Sequence, residues 1–218
     1  LTLIEDLHVH MNYLHSLDVS KNVNLKTLYC FDNDLSTLDV QNNTALEKLN
    51  ASGNKLTLLN LTKNTMLKNI DVSGNDLVGI NVRNCPLLET LNVSGNANIS
   101  VINVDKNPEL TTLNASGLGI SELDLTKNEK LIDLNVFNNK TLKVVILKCE
   151  DNLNKLRGIL FNPEIATLKF ANGEKCLGVT IAGLTWYPYN VGYSASNTYG
   201  EKYTFRQAKT ACPSGWRV

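Results

Sequence analysis

Apolar positions in this chain recur with a period far longer than a helical turn. Ile4, Leu7, Val9 and Leu14 are followed by Leu25, Leu28, Cys30 and Leu35, and then by Leu46, Leu49, Ala51 and Leu56. The pattern L-x-x-L-x-[VAC]-x-x-N-x-L can be written seven times, with later copies opening at Leu67, Leu88, Leu110 and Leu131. Its spacing is 21 residues, apart from one step of 22 around Ala97 and Asn98. Repetition at that length is the sequence signature of stacked coils. The second half of each unit repeats the theme, from Leu14-x-x-Leu17-Asp-Val-Ser-Lys-Asn22 to Leu123-Asp-Leu-Thr-Lys-Asn128. Leucine alternating with polar residues marks a short strand with one buried face. The pattern therefore predicts coils with strands on two sides and little helix.

A lone coil of this size leaves its leucines open to water above and below, so the coils must stack. Equivalent strands then lie about 4.8 Å apart, and seven coils make a parallel-stranded rod roughly 33 Å long with one continuous apolar interior. At each corner the backbone turns inward and needs partners for its own polar groups, which an inward carboxamide supplies with two donors and an acceptor. Asn12, Asn33, Asn54, Asn75, Asn96 and Asn139 form one such ladder, and Asn22, Asn43, Asn64, Asn107 and Asn128 form the other. Cys85 stands in the second ladder where asparagine is expected, and a small buried thiol is a known substitute there. Leu118 interrupts the first ladder, which predicts a local change of corner shape.

These residues resemble a leucine-rich repeat, of the short two-sided kind found in bacterial surface proteins such as internalins and their Bacteroidetes relatives. The resemblance covers about residues 4 to 147 and rests on seven copies of a five-position pattern. It implies a right-handed solenoid that recognises a partner.

Composition narrows the partner. The chain has 218 residues, 43% of them hydrophobic, with 21 basic against 21 acidic side chains. A balanced charge without a basic stripe argues against nucleic acid. No apolar run reaches membrane-spanning length, and no secretory leader is present. The chain nevertheless begins inside the repeat, which leads us to expect a mature or trimmed fragment of an exported protein, placed outside the cell or on its surface. Of five cysteines, Cys30 and Cys85 fall on inward positions and read as buried free thiols. Cys149, Cys176 and Cys212 follow the repeat, where one bridge, for example Cys176 to Cys212, is possible in principle but cannot be deduced. No C-x-x-C pair suggests zinc.

The character of the chain changes after residue 147. Residues 148 to 175 lose the repeat but stay apolar, as a cover for the last coil and a linker would; "NLNKLRGIL" reads as a short helix and "IATLKF" as a strand. From Trp186 onward lie eight of the chain's fourteen aromatic residues. Trp186, Asn190, Gly192, Tyr199-Gly200, Thr204, Ala208 and Cys212-Pro213-Ser214-Gly215-Trp216-Arg217 resemble the first part of the FISUMP domain, the Fibrobacter major paralogous domain. Family members continue past that last motif, whereas this chain stops at Val218, so residues 176 to 218 read as an incomplete module. The FISUMP pattern is itself similar to lectin-like and formylglycine-generating-enzyme-like folds, an analogy of fold alone.

Little in the repeat carries chemistry. His8 and His10 flank Val9 and point to one solvent face, but two ligands without a third read as surface residues rather than a metal site. His15 has no evident partner. The serines at 52, 73, 94 and 116 share no coil with a histidine, so a nucleophile would lack its base. Asp18, Asp39, Asp71 and Asp124 read as solvated outward residues, and the Ser-Gly-Asn triplets at 52, 73 and 94 as corners, not phosphate loops. The sequons at Asn60, Asn92, Asn98 and Asn114 fall out of the repeat alphabet. No catalytic residue, metal or cofactor is expected.

The surface is what remains. One outward column runs His8, Tyr29, Asn50, Asp71, Asn92, Asn114 and Asn135, and beside it runs His10, Phe31, Ser52, Ser73, Ser94, Ser116 and Phe137. Rigid aromatic rings are frequent interface anchors, which puts Tyr29 and Phe31 first and Phe137 second as ligand-binding candidates. Tyr29 and Phe31 read equally well as isolated surface aromatics, and the asparagine column reads more readily as inert. The leading expectation is a non-enzymatic scaffold that binds a protein or glycan through this face. A spacer that holds the C-terminal module away from the cell is the alternative, and an enzymatic or lectin-like activity in that module is the third.

Overall fold

The computed structural model describes residues 3–148, residue 156 and the strands 158–160 and 167–170. Eleven short strands follow one another: β1 (Asp6–His8), β2 (Thr27–Tyr29), β3 (Lys48–Asn50), β4 (Asn69–Asp71), β5 (Thr90–Asn92), β6 (Thr112–Asn114), β7 (Glu122–Asp124), β8 (Asp133–Asn135), β9 (Val144–Leu147), β10 (Gly158–Leu160) and β11 (Thr167–Phe170). Among the described residues there is no helix. Eight strands pair in parallel in the order β1-β2-β3-β4-β5-β6-β8-β10, and the second side holds β11-β9-β7. Registers align the repeat without slip: Leu7, Leu28, Leu49, Ile70, Leu91, Leu113 and Leu134 are successive partners.

That register stacks every strand-centre leucine on its equivalent one rung away, about 4.8 Å distant. Leu28, Leu49, Ile70, Leu91, Leu113 and Leu134 are all fully buried, as are the opening residues Leu25, Leu46, Leu67, Leu88, Leu110 and Leu131. Cys30, Ala51, Val72, Val93, Ala115 and Val136 complete the inner face. The core is thus one uninterrupted column. In the first coil Ile4, Leu7, Val9, Leu14 and Leu17 are only partly buried, because they pack against a neighbour on one side.

The two asparagine ladders work differently. In the first, Asn54 Nδ2 donates to the carbonyls of Ala51 in its own coil and Cys30 in the preceding one, while Oδ1 accepts the Leu35 N–H at 3.0 Å. Asn33, Asn75 and Asn96 repeat the arrangement through Leu14, Leu56 and Leu77. In the second ladder Nδ2 donates twice, as Asn64 does to Val40 and Asn43 carbonyls, and the Oδ1 atoms of Asn43, Asn64, Asn107 and Asn128 accept nothing from the protein. Cys85 fits there because only donation is required: its Sγ lies 3.6 Å from the Asn64 carbonyl. Both Cys30 and Cys85 are buried free thiols, and burial raises them to about 12 and about 11. They are poor nucleophiles. Asn12 and Asn22, the first rung of each ladder, are less buried than the rest, and the Asn12 side chain donates to carbonyls of its own coil, Val9 and His10.

Leu118 does alter its corner. Asn139 Oδ1 accepts the N–H of Leu118 itself, at 2.7 Å, instead of the residue two positions later. Soon afterwards the second side acquires its first strand, β7, which β9 and β11 extend. Before β7 the second side holds no strand. Past residue 147 the hydrogen bonding continues, since β10 pairs with β8 and β11 with β9. The IATLKF strand is therefore present, as β11. Of the stretch NLNKLRGIL, expected as a short helix, the last three residues are strand instead, because Gly158–Leu160 pairs in register with Asp133–Asn135 and carries the first sheet onward. Residues 151–155, which open that stretch, lie outside the described residues, as do Cys149, Cys176 and Cys212 and the entire 176–218 module.

The Ser-Gly-Asn triplets are corners. Gly53, Gly74, Gly95 and Gly117 have φ between 60° and 72°, and Met11, Asp32 and Asn138 take the same left-handed turn at 55°, 52° and 59°. A Cβ on Gly74 would sit no nearer than 3.7 Å to another heavy atom, so the obstacle to a side chain is the backbone angle and not space. Gly74→Ala is expected to destabilise by about 1 kcal/mol, read as a lower urea midpoint at constant m. No change in the midpoint would mean the corner tolerates any residue.

Candidate recognition face

The first sheet presents two outward columns, and the register brings both together as expected: His8 faces Tyr29, Tyr29 faces Asn50, and Asn50 faces Asp71, Asn92, Asn114 and Asn135 in turn. At the N-terminal end four rings form a cluster. His8 stacks on Tyr29 at 4.7 Å with an interplanar angle of 18°, and His10 on Phe31 at 4.3 Å and 10°. The His-x-His pair is therefore engaged with aromatic rings, its own ring centroids 6.0 Å apart. Among the described residues no three His, Cys, Asp or Glu side chains are grouped to hold a metal. Phe137 is exposed but lies five rungs from Phe31, roughly 24 Å along the sheet, and does not join the cluster.

The polar columns have a structural occupation that the sequence reading assigned to solvation. Asn50 Oδ1 accepts from the Ser52 N–H and hydroxyl at 3.0 and 2.7 Å, and Asp71 does the same for Ser73. Asn92 and Asn114 repeat it with Ser94 and Ser116, and Asn135 accepts from the Phe137 N–H. On the other side Asp18, Asp39, Asn60 and Asp124 accept from the N–H two residues on. Each is an Asx turn, which on the first side closes the strand. The Ser20 hydroxyl and, after it, the Ser20 N–H hold the Asp18 carboxyl below its usual range. In seven of these nine turns the triplet is Asn/Asp-x-Ser/Thr, which with Asn also spells a sequon.

Charge lies beside the strands as an alternating column of Glu5, Lys26, Glu47, Lys68 and Glu89. Glu5 pairs with Lys26 at 2.7 Å and Glu47 with Lys68 at 2.8 Å. The Lys68 ammonium holds Glu47 below the ordinary carboxylate range, and Glu5 and Glu47 hold Lys26 and Lys68 above theirs. Such exposed pairs add little stability, but with two lysines against three glutamates they leave this border almost neutral. His15, which showed no partner in the sequence, lies 3.9 Å from the Asp34 carboxylate, itself bound to Lys55.

Between the ring cluster and the middle of the sheet is an open groove of about 370 Å³. Tyr29 forms one wall; Lys48, Asn50, Asn69, Asp71, Thr90 and Asn92 line the remainder, over the buried Leu49 and Ile70. Lys48, Asn69 and Thr90 belonged to no column singled out in the sequence, because they precede the strand-centre leucines and meet the groove only when three strands lie side by side.

Stacked parallel rungs, leucine columns and paired ladders of inward asparagine define a leucine-rich repeat solenoid. Many solved structures share it, among them the three that follow. The functional domain of InlJ from Listeria monocytogenes, described as including a cysteine ladder, is 29% identical, with a TM-score of 0.58 over 77% of this chain and 40% of its own. The leucine-rich repeat protein LIC12759 of Leptospira interrogans is 21% identical with a TM-score of 0.56, over 74% of this chain and 49% of its own. The leucine-rich repeat domain of APL1B is 19% identical with a TM-score of 0.53, over 75% and 56%. This chain thus spans roughly half the length of these neighbours or less. No protein-family model matches it, and no curated protein is similar to it. No helix among the described residues is long and apolar enough to cross a membrane.

Proposed function

We propose that the protein is a non-enzymatic recognition scaffold, bacterial and displayed outside the cell, which binds a protein or glycan through the face of its first sheet. The observation that carries this is the ring cluster. His8, His10, Tyr29 and Phe31 are held in stacked pairs on adjacent hydrogen-bonded strands, so little conformational entropy is lost when a partner meets them. The similarity to the InlJ domain and to LIC12759 supports the bacterial reading, and the internalin resemblance supports the surface location. In this reading residues 1–147 form the recognition solenoid, 148–175 its terminal cover and linker, and 176–218 a FISUMP-like module. One side-chain oxygen of each of Asn50, Asp71, Asn92, Asn114 and Asn135 closes a strand end, which fixes the side chain on the surface that the partner meets.

The test is a surface-binding screen with the full chain, followed by Tyr29→Ala combined with Phe31→Ala. Both residues are on the outer face, so the fold is expected to survive. Binding should weaken at least tenfold, about 1.4 kcal/mol, if the cluster is an anchor. Unchanged binding would move the site off this face and return weight to the spacer reading.

A further inference from the structure

The groove beside Tyr29 has a chemistry of its own. One face of the Tyr29 ring is covered by His8, which comes from the strand on that side; the other face therefore looks across β3 toward Asn50 and into the groove. The walls are otherwise hydrophilic: three carboxamides, a hydroxyl, one ammonium and one carboxylate. Lys48 and Asp71 cancel in charge. Asn69 and Thr90 are half-buried, and their side chains form no hydrogen bond among the described residues. Asp71 is fixed from both sides, Oδ1 by Ser73 and Oδ2 by Asn92 Nδ2 at 3.0 Å, so its remaining lone pairs are held in place.

An aromatic face backed by a second ring, beside amide, hydroxyl and carboxylate groups with no net charge, suits a ligand that is apolar on one face and rich in hydroxyls around its rim. An apolar protein anchor gains little depth here, because Leu49 and Ile70 beneath the groove are only 1% exposed. A lone cation would meet Lys48, and a lone anion Asp71. We propose that this groove binds a neutral sugar ring of a surface glycan, its C–H face stacked on Tyr29 and its hydroxyls hydrogen-bonded by Asn50, Asn69, Asp71 and Thr90. The proposal rests on the recognition reading and specifies its ligand.

The experiment titrates the full chain, labelled with ¹³C-tyrosine, with cellopentaose, chitopentaose, mannopentaose and galactopentaose at millimolar concentration. The Tyr29 ring signals, assigned by their loss in Tyr29→Phe, should shift with at least one of these, and Tyr13 should not. Tyr29→Ala and Asp71→Ala should each weaken that sugar at least tenfold, whereas Tyr29→Trp should retain it, since stacking needs a ring and not a phenol. Circular dichroism of each variant separates lost binding from lost fold. If no pentasaccharide moves Tyr29, or if Tyr29→Ala binds as well as the parent, the sugar site is wrong. Should a protein partner from the screen depend on Tyr29 and Phe31 while no sugar competes with it, the recognition reading stands and only this inference fails.

Discussion

Asn75→Ala is expected to destabilise the protein by about 3–4 kcal/mol, whereas Asn64→Cys should cost about 1 kcal/mol. The two residues are both buried ladder asparagines, yet their hydrogen bonds differ in kind. Asn75 donates to the carbonyls of Ala51 and Val72, and its Oδ1 accepts the Leu56 N–H at 2.9 Å. Each of those carbonyls also accepts from another ladder member, Asn54 for Ala51 and Asn96 for Val72. Neither is stranded by the substitution. The Leu56 N–H is stranded, in a place water does not reach, and an orphaned buried donor costs about 1–3 kcal/mol beyond the bonds lost. Asn64 has no such acceptor duty, since its Oδ1 receives no bond from the protein. A thiol at position 64 can repeat what Cys85 already does one rung later. Asn75→Cys completes the comparison: it restores a weak donor but no acceptor and should remain within about 1 kcal/mol of Asn75→Ala. Urea unfolding at constant m separates the cases. Equal losses for Asn64→Cys and Asn75→Cys would mean that acceptance by Oδ1 does not distinguish the ladders.

Leu91→Ala should cost about 3–4 kcal/mol and Leu7→Ala about 1 kcal/mol, although both occupy the same position of the repeat. Leu91 is 0% exposed, with Ile70 on one side and Leu113 on the other. The strands that carry these neighbours are tied by main-chain hydrogen bonds at a set spacing, so the site cannot collapse into the hole. Leu7 is partly buried and meets Leu28 on a single side. For a chain of this length the difference corresponds to a melting temperature lower by about 4–12 °C for Leu91→Ala than for Leu7→Ala. Similar melting temperatures would show that the rungs do not share one core.

Much of the fold was legible because a solenoid makes only nearest-neighbour contacts, which turns a three-dimensional arrangement into a periodic text. Both ladders, the corner role of the Ser-Gly-Asn triplets, the altered corner at Leu118 and the two buried thiols could be read from position alone. The last rung was harder. Leu156 is buried and Ile159 lies three residues on, the same Leu-x-x-Leu opening, but it follows Leu131 by 25 residues instead of 21. A period search loses a copy displaced in that way. Hydrogen bonding to β8 does not depend on the length of the connection, so β10 pairs regardless.

The candidate site divides along the same line. Which side chains face outward follows from strand alternation, so Tyr29, Phe31 and the asparagine column could be named from the sequence. What each does there depends on neighbours 21 residues away or two residues along. That His8 and His10 cover one face of each aromatic ring follows from strand adjacency plus rotamer. The oxygens of Asn50 and Asp71 are engaged by their own serines, a local motif present as text, although the sequence pattern suggests only solvation for Asp71 and an inert row for Asn50.

The order of apolar and amide positions, by itself, determined that this chain coils, how many residues each turn uses and which groups are hidden, because burial of leucine and satisfaction of inward backbone groups admit no other period. Only the tertiary structure decided which ladder accepts as well as donates, where the second side becomes a true sheet and which polar groups surround the Tyr29 groove. Those features arise between rungs. They depend on the angle at which one coil lies on the next, and no single repeat contains that angle.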